Sequence, residues 1–248
     1  MYQNPLSVDN KTILITGASR GIGKAIALGL RDAGAQIIGT GSRPETVEWM
    51  NDEPGFQGHA IDVRDRKAME ALFNQSLRKR RPIDCLINNA GVADHTMASW
   101  VDDERMEHVL DVNVKAVMRC CQSYHKTHRK IGGNIINVSS ILAVVGADIS
   151  SIYSASKAAV SMLTKSLAVE WAPYNFRVNA LCPGLIDTDM LETLKNNKTV
   201  FEKEIEKIPM KRMAKPEELI GATTFLASEA SSFMTGQNLV IDGGVTAI

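Results

Sequence analysis

Tyr153 and Lys157 stand four residues apart in the run Tyr153-Ser154-Ala155-Ser156-Lys157. On a helix that spacing brings a phenol and an ammonium onto one face. The positive charge favours the phenolate, so a tyrosine that ordinarily keeps its proton to about pH 10 is expected to exchange it nearer neutrality. Such a pair can move one proton to or from a substrate oxygen. The same spacing occurs on plain solvated helix faces, and its meaning rests on what the rest of the chain places beside it.

A second group of residues suits a dinucleotide. Thr16-Gly17-Ala18-Ser19-Arg20-Gly21-Ile22-Gly23 follows the first apolar run directly and opens the first helical pattern. Gly17, Gly21 and Gly23 let the backbone turn tightly and approach a pyrophosphate, whose charge the free N–H groups at a helix start attract. About 20 residues further on, an acidic side chain after the second strand would bind the ribose 2′-hydroxyl of NAD. The chain has Gly41-Ser42-Arg43 there instead. Without a carboxylate to repel it, a 2′-phosphate could be held by Arg20, Ser42 and Arg43, which favours NADP(H) and leaves NAD(H) possible should Arg43 only face solvent.

These groups need a scaffold, and the pattern of the chain supplies one. Short β-rich runs at 12–16, 36–40, 58–61, 83–87, 134–138, 177–181 and 238–241 alternate with helical patterns at 21–33, 44–51, 65–79, 102–128, 151–171 and 216–227. Such alternation predicts an α/β fold with a seven-stranded parallel sheet flanked by helices on both faces. No repeat or linker divides residues 1–248, so they read as a single domain. The polar, lysine-rich stretch 187–215 interrupts the alternation and is expected to be a substrate lid.

Composition excludes several classes. Lys plus Arg and Asp plus Glu both number 28, so the formal net charge is zero and no global field recruits nucleic acid or an anionic membrane. The basic cluster Arg78, Lys79, Arg80 and Arg81 precedes Pro82 and reads as a solvated helix end. Cys85, Cys120, Cys121 and Cys182 lack metal-ligand spacing and read as reduced thiols of the core or of helices. The start Met1-Tyr2-Gln3-Asn4-Pro5 has no basic region ahead of an apolar one, and nowhere do about 18 apolar residues run on. A soluble, cytoplasmic protein is expected.

Further short motifs recur in order: Asp62-Val63, Asn88-Asn89-Ala90-Gly91, Asn113, Ser139-Ser140, and Pro183-Gly184. With the glycine loop and Tyr153/Lys157 they resemble the classical short-chain dehydrogenase/reductase family over nearly the whole chain. The resemblance implies a single-domain Rossmann fold and a catalytic set of Asn113, Ser140, Tyr153 and Lys157. In that set Tyr153 exchanges a proton with the substrate oxygen, and Ser140 hydrogen-bonds the same oxygen. Lys157 tunes Tyr153 and holds the nicotinamide ribose, while Asn113 holds a water through a local helix irregularity. The family's tyrosine-to-serine spacing selects Ser140, leaving Ser139 as a structural hydroxyl.

The resemblance also places Gly17, Ser19, Arg20, Gly21, Ile22 and Gly23 at the pyrophosphate, and Asp62 and Val63 at the adenine. It puts Asn89, Ala90 and Gly91 along the adenosine ribose, and Pro183, Gly184, Ile186 and Thr188 near the nicotinamide. It implies transfer of the pro-S hydride and a homotetramer, with a dimer as the alternative. The small-molecule substrate is then a carbonyl or secondary alcohol compound, such as a sugar acid, a polyol or a small ketone. The family members in view are like gluconate 5-dehydrogenase and like 3-oxoacyl-acyl-carrier-protein reductase, and Tyr174 stands where the latter usually carry a carrier-docking arginine. Arg129 and Lys130 could still supply a basic contact there. Candidate pocket residues are Ala93, Asp94, His95, Leu142, Val144, Val145, Asp148, Leu185 and Met190. A non-catalytic dinucleotide-binding regulator is the reading from another class.

Overall fold

Strands that are apolar from end to end must be covered on both faces, and a computed structural model of the chain, describing residues 4–79 and 81–248, is built on that requirement. Met1 to Gln3 and Arg80 lie outside the described residues. Seven strands, β1 (Thr12–Ile15), β2 (Gln36–Gly41), β3 (Phe56–Ala60), β4 (Cys85–Asn88), β5 (Gly133–Val138), β6 (Phe176–Pro183) and β7 (Asn238–Ile241), form one sheet in the order β3-β2-β1-β4-β5-β6-β7. Every pairing is parallel. The order reverses between β1 and β4, and the crevice beyond the carboxyl ends there is where open α/β sheets take their ligands.

Helices α1 (Gly21–Asp32), α2 (Glu48–Asp52), α3 (Arg66–Arg78), α4 (Asp103–Leu110), α5 (Val117–His128), α6 (Ser151–Trp171), α7 (Glu192–Lys195), α8 (Lys198–Lys207) and α9 (Ile220–Ala227) connect the strands. Side chains alternate across a strand, and the core divides accordingly. Ile13 and Ile15 of β1 pack with Ile26 and Leu30 of α1 and Leu226 of α9. Leu14, pointing the other way, packs with Phe73 of α3, Tyr124 of α5 and Val160 of α6. Asp65 and Asp102 start α3 and α4 by accepting the Ala68 and Arg105 N–H groups at 3.1 and 2.8 Å.

Several expected elements differ in detail, among them the helix expected over 216–227, which opens as a 3₁₀ turn, Pro216–Leu219, before α9, and the strand expected over 58–61, which is Phe56–Ala60. The helix expected over 102–128 breaks into α4 and α5 around a π-helical segment, Asp111–Ala116, where an extra residue enters the turn. The helix expected over 44–51 is a 3₁₀ turn, Pro44–Thr46, followed by α2. The strand expected from residue 83 begins at Cys85, because side chains occupy the Ile83 backbone: His128 Nε2 accepts its N–H at 3.2 Å and the Tyr124 hydroxyl donates to its carbonyl at 2.7 Å.

Stretch 187–215 holds a short turn, Asp189–Leu191, then α7 and α8, with none of the described residues of α8 fully buried. A bridge between Ile186 and Ala214 ties its two ends together. All four cysteines are buried and unpaired, and burial pushes the Cys85 and Cys120 thiols up to about 12. No helix among the described residues is long and apolar enough to cross a membrane.

Candidate active site

The glycine loop lies where the sheet order reverses. Gly17 and Gly21 adopt φ of +65° and +54°, which disfavour any side chain. Gly23 is glycine for another reason: a Cβ there would fall 2.2 Å from the Gly17 carbonyl oxygen and 2.3 Å from Asn89 Nδ2. The Asn89 amide braces the loop by donating to the Thr16 and Gly17 carbonyls at 3.0 and 2.9 Å. Its side chain is therefore spent on the loop, and its backbone N–H on the Thr16 hydroxyl at 3.1 Å, which leaves its carbonyl for a ribose. Arg20 precedes α1 in an extended conformation, no side chain caps the helix, and its first turn carries no acidic residue. Free N–H groups and a bare positive helix end fit a pyrophosphate. Thr188 closes over this loop, its Cγ2 being 3.5 Å from where a Gly21 Cβ would stand.

Gly23→Ala is accordingly expected to weaken NADPH binding more than about tenfold and to cost about 1–3 kcal/mol of stability, because the obstructing atom is backbone. Fluorescence titration with NADPH and denaturant unfolding measure the two; an unchanged dissociation constant would remove the loop from the site.

Beyond β2, Ser42 and Arg43 are exposed, and Arg43 Nε lies 3.3 Å from Glu45 Oε1. A carboxylate does stand at this corner, contrary to the expectation from Gly41-Ser42-Arg43: the 3₁₀ turn after Pro44 brings Glu45 back toward Arg43. Asp62 is also engaged. Arg64 holds its carboxylate at 2.6 Å and keeps it below the usual carboxylate range. Val63 packs with Val112, Ala116, Ala90 and Val92 as an apolar wall suited to a base.

On α6, Tyr153 and Lys157 occupy one face, with Lys157 Nζ 5.6 Å from the Tyr153 ring centroid. Lys157 is 5% exposed and donates to the Val138 carbonyl at 2.9 Å. Burial lowers it from 10.5 to about 8, the nearby Cys182 acting weakly in the opposite sense. Burial pushes the Tyr153 phenol up, while a hydrogen bond from Ser140 pulls it down. The expectation that Lys157 draws Tyr153 toward neutrality meets an opposing cause in the protein alone: burial disfavours the phenolate, and the Lys157 ammonium, itself desolvated, is turned toward Val138.

Ser140 lies two residues beyond β5 and caps the turn Ile141–Ala143, its oxygen accepting the Leu142 N–H at 3.1 Å. Its proton stays free for a substrate oxygen or the phenol. Ser139 turns the other way, donating to the Lys157 carbonyl at 2.9 Å and meeting the Ser161 hydroxyl at 2.9 Å. Asn113 lies in the π segment, 1% exposed. Its oxygen accepts the Val92 N–H at 2.9 Å, and its amide donates to the Val92 carbonyl at 2.9 Å and to Ser156 at 3.0 Å. The side chain therefore fixes the loop after β4, and a water near it would have to be held mainly by the π segment's backbone. Gly91 lies between these groups: a Cβ there would meet Asn113 Oδ1 at 3.3 Å and Lys157 Nζ at 3.5 Å.

Around the opening, Asp94 is buried against Arg105 at 3.3 Å and accepts the Thr96 N–H at 3.1 Å. His95 is exposed, with Nδ1 3.4 Å from the Ser150 hydroxyl. Pro183 and Gly184 end β6, where Gly184 donates to the Ile241 carbonyl at 2.9 Å, and Ile186 is buried beside Ala214. Tyr174 lies away from this cleft and accepts a 2.7 Å hydrogen bond from Arg129, whose guanidinium stacks 4.4 Å from its ring.

Comparisons with known proteins agree with this architecture. A family model described as enoyl-(acyl carrier protein) reductase matches residues 17–246. The chain is 34% identical to a 3-oxoacyl-acyl-carrier-protein reductase of Buchnera aphidicola, covering 97% of this chain and 99% of the relative. It is 37% identical to the 2-dehydro-3-deoxy-D-gluconate 5-dehydrogenase of Bacillus subtilis, covering 96% and 95%. Among solved structures, a gluconate 5-dehydrogenase from Burkholderia cenocepacia in complex with NADP and tartrate superposes with a TM-score of 0.93 at 31% identity, covering 98% of each chain.

Proposed function

Because this chain belongs to the short-chain dehydrogenase/reductase family of oxidoreductases, we propose that Tyr153, Ser140, Lys157 and Asn113 carry out hydride transfer between NADP(H) and a carbonyl or secondary alcohol. The observation that carries the reading is the convergence of the Tyr153/Lys157 face, the free Ser140 proton and the glycine cradle on one end of the sheet. Bound NADP(H) supplies the hydride. In reduction Tyr153 gives its proton to the substrate oxygen. Ser140 donates a hydrogen bond to that oxygen as charge develops on it. Lys157 has two protons beyond the one given to Val138, available to hydroxyls of the ribose. Asn113 keeps the loop after β4 fixed and so sets the distance across the cleft.

NADP(H) over NAD(H) is supported by Arg20, Ser42 and Arg43 and by the NADP bound to the Burkholderia cenocepacia relative. A homotetramer is supported by Met162 and Val169, exposed along α6 at 60% and 80%. A cytoplasmic setting is supported by four buried, unpaired cysteines. Stretch 187–215, with α8 lightly packed, serves as the lid.

The test is oxidation of NADPH with a panel of carbonyl compounds, together with titration of NADPH and NADH. Arg43→Ala is expected to weaken NADPH about five- to tenfold and leave NADH within about twofold, the loss of one exposed phosphate contact. Equal effects on both would refute the assignment of Arg43.

A further inference from the structure

The loops that leave β4, β5 and β6 share the carboxyl end of the sheet, the end that carries Tyr153, and each bears an exposed apolar side chain. Met97 follows β4, Val144 and Ile149 follow β5, and Met190 follows β6; they are 49%, 60%, 50% and 51% exposed. These three strands are neighbours in the sheet, so their carboxyl-end loops border one cleft. Ser140 begins the loop that bears Val144 and Ile149, and Tyr153 lies four residues after Ile149. Exposed apolar groups gathered at a site mark a surface that a ligand covers.

Ile149 sharpens the point. Its φ is +49°, a conformation that a β-branched side chain adopts only under steric protest and that glycine would adopt freely. The position nonetheless presents a branched hydrocarbon at the mouth of the site, immediately before α6. Strain of this kind concentrates where a side chain must be aimed.

Three of the cations that follow these strands are already spent on carboxylates. Arg105 is committed to Asp94, Lys195 is paired with Asp187, and Arg212 holds Glu218 at 2.7 Å. Asp148 is exposed and makes no ion pair among the described residues. Its charge opposes an anionic substrate. His95 is the remaining polar group of note, and its Nδ1 faces Ser150.

We propose that the substrate is a ketone or secondary alcohol with an apolar body, seated against Met97, Val144, Ile149 and Met190, and not a polyhydroxylated sugar acid. The proposal rests on the hydride-transfer reading above and narrows its substrate.

The experiment measures kcat/KM with NADPH for unbranched methyl ketones of increasing length and for a keto sugar acid. The parent protein is expected to gain roughly two- to fourfold per added methylene over the first few, as each leaves water for the apolar rim, and to prefer the longer ketones to the sugar acid. Ile149→Gly suits the backbone it replaces and Met190→Ser sits on an exposed turn, so both should fold; each is expected to flatten the dependence on chain length, with losses that grow with the chain. Phe233→Ser, removing a fully exposed side chain elsewhere, should leave the dependence intact. Preference for the sugar acid, or a flat dependence in the parent, would overturn the proposal while leaving hydride transfer standing. An unaltered dependence in Ile149→Gly and Met190→Ser, accompanied by a smaller assembly in size-exclusion chromatography, would also overturn it and assign the patch to a subunit contact. Absence of turnover with every carbonyl, and Tyr153→Phe matching the parent, would instead defeat the hydride-transfer reading itself.

Discussion

Tyr153→Phe is expected to lower kcat by about 10²–10⁴-fold and to leave the NADPH dissociation constant within about twofold. The substitution keeps the ring, the helix and the position of Lys157, and removes only the oxygen that exchanges a proton. Ser140 is the partner identified for that oxygen, so little of the fold depends on it. A second signature follows from the direction of the phenol's shift. Burial raises its value, which keeps Tyr153 protonated at neutral pH. Reduction needs the proton in place and should run well near neutrality. Oxidation needs it absent, so its rate should climb as pH rises toward alkaline values, until the phenolate is populated. Steady-state rates in both directions across the pH range test this, and the Phe variant should lose the alkaline climb along with the activity. Full activity in the Phe variant, or an oxidation rate that falls with pH from neutrality, would take Tyr153 out of the proton path.

Much of this site is visible in residue types and spacing because its parts are short-range devices. A glycine loop between a buried strand and a helix, or two residues four apart on α6, need only local geometry to be recognised. What stayed hidden depends on contacts between distant segments. The π segment at Asp111–Ala116 has helical residues throughout, and its irregularity accompanies Asn113 reaching across to Val92. The late start of β4 follows from His128 and Tyr124, more than 40 positions away, occupying the Ile83 backbone. The Tyr153 phenol shifts up although a lysine stands beside it, since adjacency to Lys157 is legible in sequence whereas the burial of Lys157 and the partial enclosure of Tyr153 are not. Glu45 was legible in principle, two positions after Arg43, but only the turn after Pro44 reveals that the two meet.

Lys157→Met gives the second large effect, and it joins function to stability with opposite signs. Turnover is expected to fall by about a thousandfold or more, because the ammonium organises both the ribose hydroxyls and the proton exchange at Tyr153. The fold, by contrast, is expected to gain. Lys157 is nearly inaccessible, and the only hydrogen-bond partner of its ammonium among the described residues is a neutral carbonyl, so keeping it charged costs free energy that a methionine of similar volume avoids. With the folded-state value lowered to about 8 from 10.5, the unfolded chain holds more protons between those two values. Stability of the parent therefore rises with pH through that window, while below about pH 8 the full penalty is present and constant. At about 1.4 kcal/mol per unit, the penalty is on the order of 3 kcal/mol, and the Lys157→Met variant forfeits part of that gain because the Val138 carbonyl is left unpaired. Denaturant unfolding of parent and variant from pH 7 to pH 10 should show the variant ahead at pH 7 by about 1–3 kcal/mol, with the lead shrinking toward pH 10. A variant less stable than the parent at pH 7, or a lead that widens with pH, would mean that Lys157 supports the fold. A charge held at a net loss of stability is otherwise explained by what it does in the reaction, since hydrocarbon of the same size would serve the core better.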